Sequence, residues 1–190
     1  MEFSEVVRQR RTIRRYRQQD IPDAVLKTLL ESLRFSPTGG NMQHLRYIVV
    51  RNESTAKALF ELAAFGALVR PRRSPQWGKD APRCFVAVTA PENSPAEYAH
   101  AGAAIQTLLL GATSLGLGGC WIGAFDRQKA ETLLKVPAGM SILYLVALGY
   151  PDEAPVFEDA PSPEAYKYYL DEADRLHVPK LKLDDLVRWV

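Results

Sequence analysis

The chain has 190 residues, and its 24 Lys and Arg against 22 Asp and Glu give a formal net charge of +2. Hydrophobic residues make up 47% of it, which suffices for the core of one domain and excludes a globally disordered chain. A pI near 8.5 lacks the strong basic bias typical of a dedicated nucleic-acid-binding domain.

Helices and strands are predicted in mixed order along the chain. Apolar spacing and capping residues predict helices at 2–10, from about Pro22 to Leu33, from Ser54 to about Ala64, at 97–115 and from Asp126 to Leu134. β-Branched and buried runs predict strands at 46–52, 84–90 and 140–150. Because these elements do not alternate strictly as strand and helix, we expect an α+β fold whose mixed or antiparallel central sheet is flanked by helices.

The stretch 101–125 contains no charged residue and therefore resembles a membrane span. Its six glycines would break a spanning helix, so it is interpreted as a buried helix followed by a glycine-rich turn. The start of the chain has no secretory signal. We expect a soluble, cytoplasmic protein without a membrane partner.

Two segments are harder to assign from composition. Residues 66–80 form a long loop that either covers a functional site or is simply solvated. Beyond Tyr150 the chain is rich in proline, acids and tyrosine and lacks a core-forming pattern before its last ten residues. We expect residues 1–150 to form the core and residues 151–190 to form an extension that packs on a partner subunit, within a single domain.

Standard catalytic patterns are missing from the sequence. The histidines His44, His100 and His177 are far apart and lie in no metal-binding motif, so no metal is expected. Cys84 and Cys120 match no CxxC or metal spacing and are expected to be buried, reduced thiols. The stretch "GLGLGG" follows a helix rather than a strand and lacks the GxGxxG spacing of a dinucleotide site.

The N-terminal stretch "RQRRTIRRY" (8–16) concentrates five arginines in nine positions. Guanidinium groups suit phosphate, and Thr12 adds a hydroxyl. A solvated basic face and a nucleic-acid contact would use the same residues, although a nucleic-acid site would require more basic and aromatic stripes than "RPRR" at 70–73 supplies.

A second stretch, "SPTGGNMQH" (36–44), is a tight loop with two amides, Asn41 and Gln43. Amides both donate and accept hydrogen bonds, which suits the edge of a heterocycle. A capped turn leading into the next strand would explain the same residues.

Taken together, "RRTIRRY", "FSPTGGNMQ" and "GLGLGGCWIGAFD" resemble, in order and spacing, the FMN-dependent nitroreductase family. The resemblance covers about residues 3–150 and includes the helix "YAHAGAAIQTLLLGA" between the last two motifs. It implies an α+β homodimer with FMN sites at the subunit interface and with NADH or NADPH as co-substrate. No catalytic side chain is implied, because the flavin carries the chemistry.

The resemblance also implies which residues hold FMN. Arg10, Arg11, Thr12 and Arg14 would bind the phosphate and ribityl chain, whereas Pro37, Thr38, Gly39, Asn41 and Gln43 of the other subunit would line the isoalloxazine. Trp121, Ile122 and Gly123 would lie along one ring face, with a backbone N–H of Ile122 or Gly123 near the nitrogen that accepts hydride. A C-terminal basic residue would join the phosphate site; Arg175, Lys180 and Lys182 compete for that place, and Lys180 is preferred.

The implied reaction is ping-pong transfer of hydride to a small-molecule acceptor such as a nitroaromatic, quinone or enone. Some family members place an acidic residue where this chain has Gly123, and others act as dehydrogenases, dehalogenases or flavin-cleaving enzymes. The alternatives are therefore another flavin reaction or a non-enzymatic protein that binds an anion or nucleic acid through its arginines.

Overall fold

A computed structural model of the chain describes residues 2–66, 74–92 and 94–190. Helices lie at α1 (Phe3–Gln9), α2 (Asp23–Glu31), α3 (Glu53–Leu62), α4 (Ala96–Ser114), α5 (Arg127–Leu134) and α6 (Leu183–Leu186). Strands lie at β1 (Arg46–Val50), β2 (Cys84–Pro91), β3 (Gly118–Ile122), β4 (Met140–Gly149), β5 (Val156–Asp159), β6 (Tyr169–Leu170) and β7 (Leu176–Lys180). Short 3₁₀ turns occupy Ser32–Phe35 and Gly39–Asn41.

The central sheet is antiparallel, with the strand order β1-β2-β4-β3. Successive side chains of a strand point to opposite faces, and both faces of β2 are covered. Val86 and Val88 pack in the cluster that contains α2 and α4. Phe85 and Ala87 pack in the cluster that contains α3 and α5. This arrangement confirms the predicted α+β fold with helices flanking the sheet.

Helix α4 is the buried helix that its uncharged sequence predicts. Its core side chains include Ala104, Ile105 and Leu108, none of which is exposed to solvent. In the described part of the chain, no helix has both the length and the apolar character needed to cross a bilayer.

The prediction of a glycine-rich turn after α4 is wrong for most of its length. Gly116, with φ of 73°, makes the turn, but Gly118 and Gly119 belong to strand β3. A Cβ at Gly118 would lie 2.5 Å from Ile13, and one at Gly119 would lie 2.5 Å from Leu109. These two glycines therefore permit close packing on both sides of the strand rather than a reversal of the chain.

Two helix starts depend on capping side chains. Asn52, not Ser54, caps α3: its Oδ1 accepts from the backbone N–H of Thr55 at 3.1 Å, and Ser54 itself donates to that oxygen. Asp126 caps α5 as predicted, accepting from the N–H of Lys129.

Parts of the long loop at 66–80 lie outside the described residues, namely 67–73 with Arg70, Arg72 and Arg73. At its end, Trp77 packs beside the Phe60 ring of α3, with the ring centroids 5.7 Å apart. Asp80 is buried and accepts from the backbone N–H of Gln76 at 2.6 Å.

The chain beyond Tyr150 forms a second sheet, which we call the C-terminal sheet, with the order β5-β7-β6. Its strands β5 and β7 are parallel, whereas β6 and β7 are antiparallel. His177 lies between two carboxylates, with Nδ1 2.9 Å from Glu158 and Nε2 3.2 Å from Asp171, and its ring stacks on Tyr169. These polar contacts hold a sheet that the apolar pattern of the sequence does not reveal.

The hydrogen bonds and charges around His177 shift the pKa values of all three groups. Bonds to Glu158 and Asp171 raise the pKa of His177. The bond from His177 lowers the pKa of Glu158, and the backbone N–H of Arg175 contributes most to the lowered pKa of Asp171. Both ring nitrogens of His177 lie against carboxylate oxygens, an arrangement that favours the imidazolium form.

Both cysteines are free and buried, as predicted. Cys84 lies in β2 and Cys120 in β3. Desolvation raises the pKa of each thiol to about 11, so neither is a reactive thiolate at neutral pH.

Candidate functional site

The arginine-rich segment leaves α1 and runs beside β3. The N–H of Ile13 donates to the carbonyl of Gly119 at 3.0 Å, and Thr12 forms a parallel bridge with the same glycine. Tyr16 is buried, and its hydroxyl donates back to the carbonyl of Ile13 at 2.5 Å. Because Gly118 has no side chain, Ile13 of the arginine-rich segment can pack directly against strand β3.

A carboxylate from the beginning of the C-terminal extension fixes the backbone of the segment. Oε1 of Glu153 accepts from the N–H of Arg14 at 2.5 Å and from the N–H of Arg15 at 3.2 Å. The N–H of Asp152 also donates to the carbonyl of Arg15 at 2.9 Å. Because Glu153 binds the backbone of Arg14, it fixes the position of that residue without neutralising its guanidinium through these bonds.

Three arginine side chains here carry incompletely compensated charge. Arg10, Arg11 and Arg14 are half-buried, and the buried Nε atoms of Arg11 and Arg14 have no hydrogen-bond partner. Within residues 2–66, 74–92 and 94–190, no carboxylate forms a salt bridge with any of the three. Burial lowers the pKa of Arg10, and burial together with the charge of Arg10 lowers the pKa of Arg11. An anion bound here would offset both effects.

Arg15 has a different environment from its neighbours. Its Nη1 donates to Asp174 at 2.9 Å, and its Nε lies 3.5 Å from the buried Asp80. It therefore links the 76–80 turn to the C-terminal sheet and has a structural role. The Arg11 guanidinium makes a cation–π contact with Phe157, 5.1 Å from the centroid of its ring.

The loop at 37–43 has a strained backbone and an exposed surface. Gly40, Asn41 and Gln43 all have positive φ, at 57°, 55° and 52°. Thr38 Oγ1 accepts from the N–H of Gln43 at 3.2 Å, and the Gln43 amide donates to the carbonyl of Asn41 at 3.2 Å. Among the predicted site residues of the loop, Thr38 is half-buried, and the exposed ones are Pro37, Gly39, Asn41 and Gln43.

The end of β3 presents an aromatic surface. Trp121 is 39% exposed, Ile122 is buried and Gly123 is exposed. The Trp121 ring meets Tyr144 edge-on at a centroid distance of 5.0 Å, and Tyr144 meets Tyr98 in the same way at 5.9 Å. A flat apolar ligand could lie against this surface.

Two of the three predicted segments meet on one element, and the third docks elsewhere. The arginine segment and residues 121–123 share β3, whereas the 37–43 loop docks on α4 through a bond from the Gly39 N–H to Nε2 of His100 at 2.8 Å. Helix α4 also passes close to the aromatic surface, since a Cβ at Gly102 would lie 3.5 Å from Trp121.

The competing C-terminal basic residues differ in their environments. Arg175 donates to Asp171 at 2.7 Å and is already paired. Lys180 is exposed at the end of β7, and Lys182 precedes α6.

Glu153, His100 and Glu97 support the predicted segments, but the sequence does not reveal these contacts. Each is far in sequence from the segment that it supports. Although His100 lies in the helix motif "YAHAGAAIQTLLLGA", nothing in that motif indicates its bond to Gly39. The charge of Glu153 next to Pro151 and Asp152 is typical of a solvated turn, so only the fold shows its contact with Arg14.

Comparison with known proteins identifies the family to which the chain belongs. The Nitroreductase family model matches residues 7–150, and the chain belongs to the nitroreductase family. The resemblance inferred from the three motifs is thereby confirmed.

A Methanothermobacter thermautotrophicus protein, provisionally named NADH dehydrogenase/NAD(P)H nitroreductase, is 28% identical over 95% of this chain and 88% of its own length. An NADH dehydrogenase of Thermus thermophilus is 29% identical over 76% of this chain and 84% of its own. A solved structure from Desulfovibrio desulfuricans, described provisionally as a nitroreductase in complex with FMN, is 28% identical. It aligns with a TM-score of 0.68 over 86% of this chain and 94% of that chain.

Proposed function

We propose that the protein is an FMN-dependent oxidoreductase that takes hydride from NADH or NADPH and passes it to a nitroaromatic, quinone or related acceptor in a ping-pong cycle. Bound FMN would supply the hydride-accepting and hydride-donating chemistry. The family match and the FMN-containing relative support the cofactor. The residues described above support the place where it binds.

The observation that carries the proposal is that Arg11 and Arg14 have buried Nε atoms without a hydrogen-bond partner and, among the described residues, no salt bridge to a carboxylate. The Nε of Arg15 also makes no hydrogen bond, but Arg15 is paired with Asp80 and Asp174. A phosphate dianion is the ligand that such a site suits, because guanidinium groups bind its oxygens through short, charge-assisted hydrogen bonds. Arg10 adds a third half-buried positive charge, and the hydroxyl of Thr12 adds a donor. The residues present therefore fit the phosphate and ribityl end of FMN.

The rest of the proposed site is assigned to the exposed surfaces described above. Pro37, Thr38, Gly39, Asn41 and Gln43 offer amide and backbone groups to the isoalloxazine edge. Trp121, Ile122 and Gly123 offer an apolar face, with a backbone N–H of Ile122 or Gly123 as the donor near the hydride-accepting nitrogen. The protein's part in the reaction is to fix the ring, exclude water from one face and leave the other face open to NAD(P)H and then to the acceptor.

A homodimer would bring the loop of one subunit to the β3 surface of the other. In the single chain the loop and the arginine segment dock on different elements, and the loop is largely exposed. The C-terminal end is also apolar and exposed, with Leu183, Leu186 and Trp189 at 64%, 65% and 83%. We propose that residues 183–190 pack on the partner subunit and that Lys180, at the end of β7, meets the phosphate. Residues 151–160 stay on their own chain, because β5 pairs with β7 there. A cytoplasmic location stays a prediction.

Steady-state kinetics test the reaction. The protein, saturated with FMN, is assayed with NADH and with NADPH against a nitroaromatic, a quinone and an enone. Parallel lines in double-reciprocal plots at several acceptor concentrations are expected for a ping-pong cycle. Intersecting lines would contradict the ping-pong cycle. If neither NADH nor NADPH is oxidised in the presence of any of the acceptors, the proposed function is contradicted.

A further inference from the structure

Glu97, in the first turn of α4, is a buried carboxylate that the proposed FMN contacts do not use. Its side chain is 1% exposed, and it lies between two histidines. Oε1 is 2.9 Å from Nδ1 of His44, and Oε2 is 3.0 Å from Nδ1 of His100. Burial raises the pKa of Glu97, but the bonds from His100 and His44 outweigh burial and lower it, so the group is an ionised acceptor.

The position of the proton on His100 follows from its two partners. A backbone N–H can only donate, so Nε2 of His100 must accept the bond from Gly39 at 2.8 Å. The Nδ1 atom must then carry the proton that it donates to Glu97. His100 is therefore neutral, with its tautomer fixed by the carboxylate on one side and by the loop on the other.

Among the described residues, two side-chain hydrogen bonds tie the loop to its surroundings: the Gly39 N–H donates to His100, and the Arg46 guanidinium donates to the carbonyl of Gln43 at 2.8 Å. Asn41 and Gln43 sit at positive φ, which costs energy for residues that have a side chain. Gly39 approaches the imidazole so closely that a Cβ there would lie 3.3 Å from Nε2 of His100. The absence of a side chain at Gly39 thus permits the approach.

We propose that His100 and Glu97 are positioning residues for the flavin-edge loop at 37–43: Glu97 accepts the Nδ1 proton of His100, which leaves Nε2 as the acceptor that holds the loop through the Gly39 N–H. The inference rests on the proposed function, because it takes the loop to line the flavin. Neither residue touches the reacting atoms in this account.

Three variants separate this role from a merely structural one. In His100→Gln the amide can accept from Gly39 and donate to Glu97, so it should restore both bonds. His100→Leu removes both the acceptor for Gly39 and the donor to Glu97. His44→Gln makes the same chemical change on the other side of the same carboxylate and leaves the Gly39 bond intact, so it serves as the matched control.

The experiment measures FMN affinity by fluorescence at a single pH, together with the protection of the Gly39 amide against hydrogen exchange in the flavin-free protein. His100→Leu is expected to bind FMN about fivefold more weakly than the wild type, the effect of losing one hydrogen bond, and to lose protection at Gly39. His100→Gln is expected to restore both the affinity and the protection. His44→Gln should keep the wild-type values of both.

The two readouts distinguish failure of this inference from failure of the proposed function. Wild-type FMN affinity in His100→Leu, together with lost protection at Gly39, would overturn the positioning role and leave FMN binding intact. Unchanged protection of Gly39 in His100→Leu would overturn the hydrogen-bond assignment whatever the flavin does. Failure of every variant, including the wild type, to bind FMN would refute the proposed function, and the positioning role with it.

Discussion

Replacement of Arg14 by methionine separates ligand binding from stability at the arginine segment. Methionine keeps most of the apolar volume but removes the guanidinium, whose buried Nε has no hydrogen-bond partner in the described chain. A charge-assisted hydrogen bond contributes about 1.5–3 kcal/mol. Arg14→Met should therefore weaken FMN binding by roughly 10- to 150-fold. Riboflavin, which lacks only the phosphate, should bind both proteins with about equal affinity.

The same change at Arg15 is the matched control. Arg15 pairs with Asp174 and with the buried Asp80, so Arg15→Met should lower the free energy of unfolding by about 0.5–1 kcal/mol, the range of a partly exposed ion pair. Its FMN affinity should stay within about twofold. Arg14→Met should leave the stability of the flavin-free protein within about 0.5 kcal/mol, because no protein contact of that Nε is lost.

Fluorescence titration with FMN and riboflavin, and urea unfolding of the flavin-free proteins, measure both quantities. The reasoning is refuted if Arg14→Met binds FMN as tightly as the wild type. A larger loss of FMN affinity in Arg15→Met than in Arg14→Met would refute it too, because the structural and the ligand-binding arginine would then be reversed.

Three further predictions concern packing, pH and thiol chemistry. Gly119→Ala should destabilise the protein by about 1–3 kcal/mol in urea unfolding, because the new Cβ would lie 2.5 Å from Leu109 and overpack β3; unchanged stability would contradict the close packing. The pKa of His177 is raised in the folded state, so its stabilisation of the C-terminal sheet is complete below the unfolded pKa and is lost as pH rises through the folded pKa. The protection of β6 and β7 amides against hydrogen exchange, relative to their intrinsic rates, should fall over that rise, and His177→Gln should abolish the fall. Cys84 and Cys120, whose thiol pKa values are about 11, should resist a thiol reagent at pH 8 until the protein unfolds, and rapid modification of the native protein would show that they are accessible.

The sequence predicts the central architecture well because both faces of the sheet are covered. Strands such as β2 then consist of nearly continuous apolar residues, and the flanking helices have clear spacing and caps. Strand β3 escaped prediction because its glycines are typical of a turn. Their actual role is steric, and it depends on Ile13 and Leu109, which approach from distant parts of the chain.

The C-terminal sheet escaped prediction for a different reason. Its short strands are held by a charged cluster around His177 rather than by a periodic apolar face, so hydrophobic patterning carries little information there. The same limit applies to the functional site. Local motifs indicate the arginines and the 37–43 loop, but the groups that fix their backbones, Glu153 and His100, are remote in sequence, and no motif indicates these contacts.

The absorption spectrum of the purified protein, titrated with FMN under anaerobic conditions and then with NADH or NADPH, tests the central claim most directly. The account predicts saturation at one FMN per chain, loss of the flavin bands when the nicotinamide is added, and their return when a quinone or nitroaromatic follows. A protein that takes up no FMN, or whose bound FMN keeps its spectrum with both nicotinamides, would contradict it.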